Sequence, residues 1–126
     1  MVVARSSREV FDYVPRSDRN LPSAQKTTFH LRRFPTHLAM RARALADSDD
    51  LVELVLRAGI AGWSNFQNLA GEQIVAKHQK RVKISGHTLD EALDKDLLEW
   101  FDQDLATELL EAIRTGNALT DEDVKN

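Results

Sequence analysis

The sequence predicts a mainly α fold with a small β component (α+β): a compact helical domain with short N-terminal and central strands and an extended N-terminal arm. Three observations carry that prediction. Between Leu51 and Phe66, the residues Leu51, Val52, Leu54, Val55, Leu56, Ala58 and Ile60 cover roughly two-thirds of a helical circumference at about 100° per residue, leaving one strip for Asp50, Glu53 and Arg57. A helix with so narrow a polar strip is buried on most sides. From Thr88 onward, a capping box of Thr88 with Glu91 precedes Leu89, Leu93, Leu97, Trp100 and Phe101, and a further run sets Leu105, Leu109, Ala112 and Ile113 on one helical face. Strand-like alternation is confined to short stretches.

Residues 1–22 read as an extended arm and loop, and residues 23–126 as a single mainly helical domain. In the arm, Val10, Phe11, Tyr13 and Val14 form a β-prone run stopped by Pro15, and the turn-rich PRSDRNLPS comes next. Thr27, Phe29 and Leu31 alternate with Thr28, His30 and Arg32, the period of a half-buried strand, so the two runs are expected to pair. Pro35-Thr36 opens a short helix with Leu38, Ala42, Leu45 and Ala46 on one face, and a turn around Ala46 to Asp49 folds it against the central helix. Asp47, Asp49 and Asp50 suit the positive end of the central helix, and Glu53 can pair with Arg57 one turn on. Gly59 and Gly62 punctuate its end, and Trp63 and Phe66 come after them. Asn68 and Gly71 mark a turn, Ile74-Val75 is one expected short strand, and Val82 and Ile84 alternating with Arg81 and Lys83 another. Gly116-Asn117 is the expected cap of the last long helix, and Thr120 with Asp123 starts a final turn. Leu54, Leu56, Trp63 and Leu109 are expected in the core.

Composition bounds the function. The 126 residues suffice for one core without metal or disulfide support, and the absence of cysteine excludes disulfides and thiolate chemistry. No apolar run approaches the ~18 residues of a membrane span, and the first residues lack a signal-peptide core, so the expected place is the cytoplasm. The net charge of −3 conceals a gradient: Lys and Arg dominate residues 1–45, the middle is balanced, and Asp and Glu dominate residues 88–126. Such a bipolar chain can steer oriented association between copies or with a charged partner, unless its two ends pack together.

No enzyme, cofactor or metal site is expected. His30, His37, His78 and His87 are scattered without zinc spacing, and neither a nucleophile elbow nor a phosphate loop is present. Asp102, Asp104, Glu108 and Glu111 read as a solvated helix face. Arg32, Arg33, Arg41 and Arg43, and the basic segment Lys77 to Lys83, could meet phosphates. Yet the central helix begins with three aspartates within four residues and is apolar almost all round, which is wrong for a major groove and disfavours direct nucleic-acid binding.

Four segments in order, YVPRSDRNLP (Tyr13 to Pro22), TTFHLRRF (Thr27 to Phe34), AGIAGWSNFQNLAGE (Ala58 to Glu72) and ELLEAIRTGNALTDEDVKN (Glu108 to Asn126), resemble small morphogenesis proteins of tailed bacteriophages, of the tail assembly chaperone or head-tail virion type. The basic KHQKRVK departs from the short acidic or proline-containing connection usual there. The resemblance implies non-enzymatic work in the host cytoplasm or in the virion, through contacts with phage virion proteins and as a homo-oligomer or multi-copy assembly. The competing class is a phage-encoded regulator or inhibitor that binds a host protein through its acidic end. Candidate partner-binding residues are the aromatics Phe11, Tyr13 and Trp100, the cations Arg32, Arg33, Arg41 and Arg43, and the anions Asp102, Glu108 and Glu111.

Overall fold

Val10–Tyr13 (β1), Thr28–Arg32 (β2) and Ile60–Ser64 (β3) form an antiparallel sheet in the order β1-β2-β3, and His78–Ile84 (β4) with His87–Leu93 (β5) forms a separate antiparallel hairpin. Two α-helices, Asp49–Gly59 (α1) and Gln103–Asn117 (α2), pack on these layers. The computed structural model describes residues 10–34, 49–84 and 86–117. The helix expected from Pro35, most of the turn after it, and the final turn at Thr120 lie outside those residues.

The expected pairing of the first two runs forms, with Phe11 opposite Leu31 and Tyr13 opposite Phe29. In β2 the alternation is real: Phe29 and Leu31 are fully buried, while His30 faces the other way. The mainly helical expectation is overturned, because among the described residues strands and α-helices are about equal in extent. Two stretches account for the error. The central helix stops at Gly59 and the chain continues as β3, paired with β2 through Phe29 opposite Trp63. Two glycines within four residues each cost about 1 kcal/mol of helix propensity, whereas Ile60 and Trp63 suit a strand. The second stretch, Thr88 to Leu93, is strand β5 and not a capped helix. Ser85-Gly86 stands between two alternating runs, Gly86 has φ +83°, and Ile84 pairs with His87 across it. That two-residue hairpin signal outweighs a Thr-x-x-Glu spacing. Leu97 and Trp100 then belong to a short 3-10 helix, Lys95–Trp100, capped by Asp94. Ile74 and Val75 form no strand, although Gln67 and Gln73 make an isolated bridge.

Beneath the three-stranded sheet, Phe29, Leu31, Val55, Leu56, Ile60, Leu93, Leu97, Phe101, Leu109 and Ile113 form one apolar cluster. A second, made by Leu54, Ala58, Ile84 and Ala92, joins α1 to the hairpin. Leu54, Leu56 and Leu109 are buried as expected, while Trp63 is partly buried and donates its indole N–H to the Ile74 carbonyl at 2.7 Å. Val52 is exposed, so the apolar arc of α1 is narrower than its sequence suggests. Arg57, expected on the polar strip, is only 5% exposed. Its guanidinium donates to the Leu93 carbonyl (2.8 Å), Glu53 (3.0 Å) and Gln79 (2.6 Å), and so fastens the hairpin to α1. A buried cation is tolerable only when paired and hydrogen-bonded in this way.

Candidate functional site

A groove of about 370 Å3 lies between β1 and α2. Residues two apart on a strand share a face, so Phe11 and Tyr13 both look toward α2. Pro15 is followed by a single 3-10 turn, Arg16–Asp18, that folds Arg16 and Arg19 round the same opening. From the other side, Glu108, Glu111, Ala112 and Thr115 stand at successive turns of one face of α2.

The floor is tied together by one hydrogen-bonded chain. Tyr13 donates its hydroxyl to Glu108 Oε2 at 2.6 Å, and the Arg16 backbone N–H donates to the same oxygen at 2.9 Å. Arg19 donates to the Tyr13 hydroxyl (3.3 Å) and to the Val14 carbonyl (3.2 Å), and its guanidinium lies 5.5 Å from the centre of the Tyr13 ring. Partial burial, then the hydrogen bond to Glu108 and that carboxylate's charge, push the Tyr13 phenol above its ordinary value; Arg19 and Arg16 oppose the shift. Glu108 is therefore a structural acceptor and not part of a solvated acidic face. Among the described residues, the Arg16 guanidinium and the Glu111 carboxylate have no ion-pair partner, so the groove presents Phe11 and Ala112 beside one free cation and one free anion.

The opposite face of the sheet carries a second polar arrangement. Asp12 on β1 stands opposite His30 on β2, and Ser64 on β3, opposite Thr28, lies diagonally from His30. His30 Nδ1 lies 2.7 Å from Asp12 Oδ1, and its Nε2 lies 3.2 Å from Ser64 Oγ. The connectivity is that of an Asp-His-Ser triad. The setting is not, because the Asp12 side chain is 69% exposed and the row lies on an open sheet face, where solvent screens the charges and competes for every hydrogen bond. What the row does in this fold is link three strands through their outward side chains.

Of the ten residues expected to bind partners, the groove gathers four: Phe11, Tyr13, Glu108 and Glu111. Arg33 is not among the lining residues, but its guanidinium lies 5.2 Å from the centre of the Phe11 ring, and Arg32 ends β2. Trp100, 48% exposed, and Asp102 are not among the groove's lining residues. Asp102 is a helix cap: its Oδ1 accepts from the Leu105 N–H at 2.7 Å, directly before α2, which accounts for an acid at that position. Arg41 and Arg43 lie outside the described residues. Sequence reasoning missed Arg16, Arg19, Ala112 and Thr115; the spacing of Glu108, Glu111, Ala112 and Thr115 on one helical face was the available signal for half of them. It also missed Asp12 with His30 and Ser64, which no local motif connects.

Most of the basic segment lies on β4, where Lys80 is paired in register with Glu91 and Arg81 takes a left-handed conformation at φ +54°. Among the described residues no group of three His, Asp or Glu side chains is placed to hold a metal ion, and no helix is long and apolar enough to cross a membrane. No family model, curated protein or solved structure matches the chain.

Proposed function

We propose that this chain is a non-enzymatic protein-binding domain that serves in the assembly or structure of a bacteriophage tail or head-tail junction, and that the groove between β1 and α2 is where it binds. The observation that supports binding is the groove itself, in which apolar surface from Phe11 and Ala112 lies beside Arg16 and Glu111, both without an ion-pair partner among the described residues. Apolar area flanked by charges of both signs suits a protein segment of mixed character. The bacteriophage setting comes from the four resembling segments, two of which, Tyr13 to Pro22 and Glu108 to Asn126, supply residues on both sides of the groove.

Charge separation along the chain supports this reading less than its sequence suggests. The basic beginning and the acidic end already meet within one molecule, where the Tyr13 hydroxyl and the Arg16 backbone N–H donate to Glu108, so that carboxylate is engaged within the chain and not offered to a partner. Association then depends on apolar contact, with charges setting orientation.

The test is retention of purified tail and head-tail proteins of the same phage on immobilised full-length chain. We expect one of them to be retained by the wild type and by His30→Gln, and lost with Ala112→Trp, which fills the groove. Retention of none of them, or equal retention by all three forms, would refute the proposal. Mass spectrometry of purified particles separates a virion component, which stays with them, from an assembly factor, which does not.

A further inference from the structure

A second feature of the surface is a knob. Gln67 and Gln73 bridge the base of a tight loop, and within it Asn68 accepts at its side-chain oxygen from the Ala70 and Glu72 N–H groups, each at 3.0 Å. The Asn68 N–H donates to the Glu72 carbonyl and the Gly71 N–H to the Asn68 carbonyl, again at 3.0 Å, with Gly71 at φ +81° where a side chain would be strained. Behind it, the Ile74 N–H donates to the Phe66 carbonyl at 2.8 Å and Asn65 Oδ1 accepts from the Gln67 and Gln73 amides. At the apex of this stapled turn stands Leu69, fully exposed at 110% relative accessibility. Single exposed leucines are ordinary on protein surfaces. One held at the tip of a loop in which the backbone N–H groups of Asn68, Ala70, Gly71 and Glu72 are all engaged is different, because docking it costs little further ordering.

The fold therefore holds a projecting apolar side chain and, elsewhere, a partly apolar groove. Leu69 cannot be filling the groove of its own chain, since it is fully exposed. A cavity of about 150 Å3 accommodates a benzene ring. The groove, at about 370 Å3, has room for a leucine side chain and its neighbours. Charge matches as well: Glu72, exposed three residues past Leu69, is an anion for Arg16, whose guanidinium has no partner among the described residues.

We propose that Leu69 of one copy seats in the groove of a second copy, between Phe11 and Ala112, with Glu72 beside Arg16. This rests on the reading of the groove as a protein-binding site and names a second copy of the chain as its occupant. The contact joins unlike surfaces, so each copy keeps a free knob or a free groove and the assembly grows head to tail until rotation closes a ring. A contact this small is weak, and association is expected between about 10 µM and 1 mM.

Two variants test it together on the purified full chain. Leu69→Asp keeps the groove and loses the knob; Ala112→Trp keeps the knob and fills the groove, with Thr115→Phe as a second filler should Ala112→Trp misfold. By sedimentation velocity, the wild type should gain mass as concentration rises, each variant alone should stay monomeric, and an equimolar mixture of Leu69→Asp with a groove-filled variant should form a one-to-one dimer that grows no further. Wild type monomeric up to about 1 mM would overturn the inference, as would association of Leu69→Asp equal to the wild type, or a mixture that gives no dimer. Those results leave retention of a phage protein on the groove to its own test, so the two readings fail separately.

Discussion

The two faces of β1 show how burial changes what similar polar contacts can do. On one face Tyr13 meets Glu108 across 95 residues of chain, half-covered by α2; on the other Asp12 meets His30 at a comparable distance in open solvent. Alternate residues of one short strand thus make two hydrogen-bonded clusters that look equally specific as lists of distances. The first borders the groove, and there burial and a carboxylate together raise the Tyr13 phenol; the second lies where water reaches every member of the row. Short distances do not make a site; exclusion of water does.

The largest effect that sharpens this contrast comes from two neighbours on β2. Phe29 is fully buried among Trp63, Phe66 and Phe101, with ring centroids 5.3 to 6.1 Å away, so Phe29→Ala should destabilise the fold by about 3–5 kcal/mol. His30→Ala, one residue on and facing solvent, should cost less than about 1 kcal/mol. Urea denaturation of both variants measures the difference, and equal midpoints would break the assignment of faces.

Next in size is the close approach of α1 to the groove helix. A methyl group at Gly59 would stand 2.7 Å from Ile113 Cγ2 and 2.8 Å from its Cδ1, and Ile113 is fully buried in the core. Gly59→Ala should therefore lower stability by about 1–3 kcal/mol despite alanine's better helix propensity. A rise in melting temperature would show that α2 sits farther from α1 than this packing requires.

These two positions also mark how far the fold is legible in its residues. The period-two pattern around Phe29 identifies β2, its partner and its buried face, because alternation of apolar and polar residues admits few other readings. Gly59 reads as punctuation, and it does end α1, but the strand after it is not legible: Leu51 to Ile60 is apolar enough to mask the switch from helix to strand, and the strand signal of Ile60 to Ser64 is short. The hairpin at Gly86 is hidden by a chance capping-box spacing. Half of the groove is legible as helix spacing at Glu108 to Thr115. Its other wall depends on Tyr13 finding Glu108, a pairing that nothing local in either segment encodes.

Tyr13 allows that pairing to be tested by pH. Its phenol is raised above its ordinary value near 10 in the folded chain, chiefly by burial and by Glu108. Below pH ~10 the phenol is protonated both folded and unfolded and the contact with Glu108 is complete. Above it the unfolded chain releases the proton first, so the stabilisation is lost as pH rises through the folded-state value. Wild type should lose more stability than Tyr13→Phe as pH rises above ~10. Because Tyr13 is the only tyrosine, phenolate absorbance near ~295 nm reports this one group, displaced upward from the ordinary value. A midpoint at the unperturbed value would mean that the groove wall opens in solution.

The smallest expected effect is on the open face. If exclusion of water decides what a polar cluster can do, the row of Asp12, His30 and Ser64 should be chemically idle in spite of its connectivity. Acyl transfer would require Ser64 Oγ to pass its proton to His30 as it attacks, with preorganised donors on the developing oxyanion. A flat face in water holds neither the substrate nor the oxyanion, and the weakly held Asp12 cannot keep the imidazole oriented. Ser64→Ala should change stability by no more than about 0.5 kcal/mol. A fluorophosphonate probe should label wild type no faster than Ser64→Ala, and p-nitrophenyl acetate should be hydrolysed at the same rate by both. Labelling of Ser64 that disappears in His30→Gln and weakens in Asp12→Asn would reverse the comparison, making the exposed face the reactive one and ending the non-enzymatic reading of the chain.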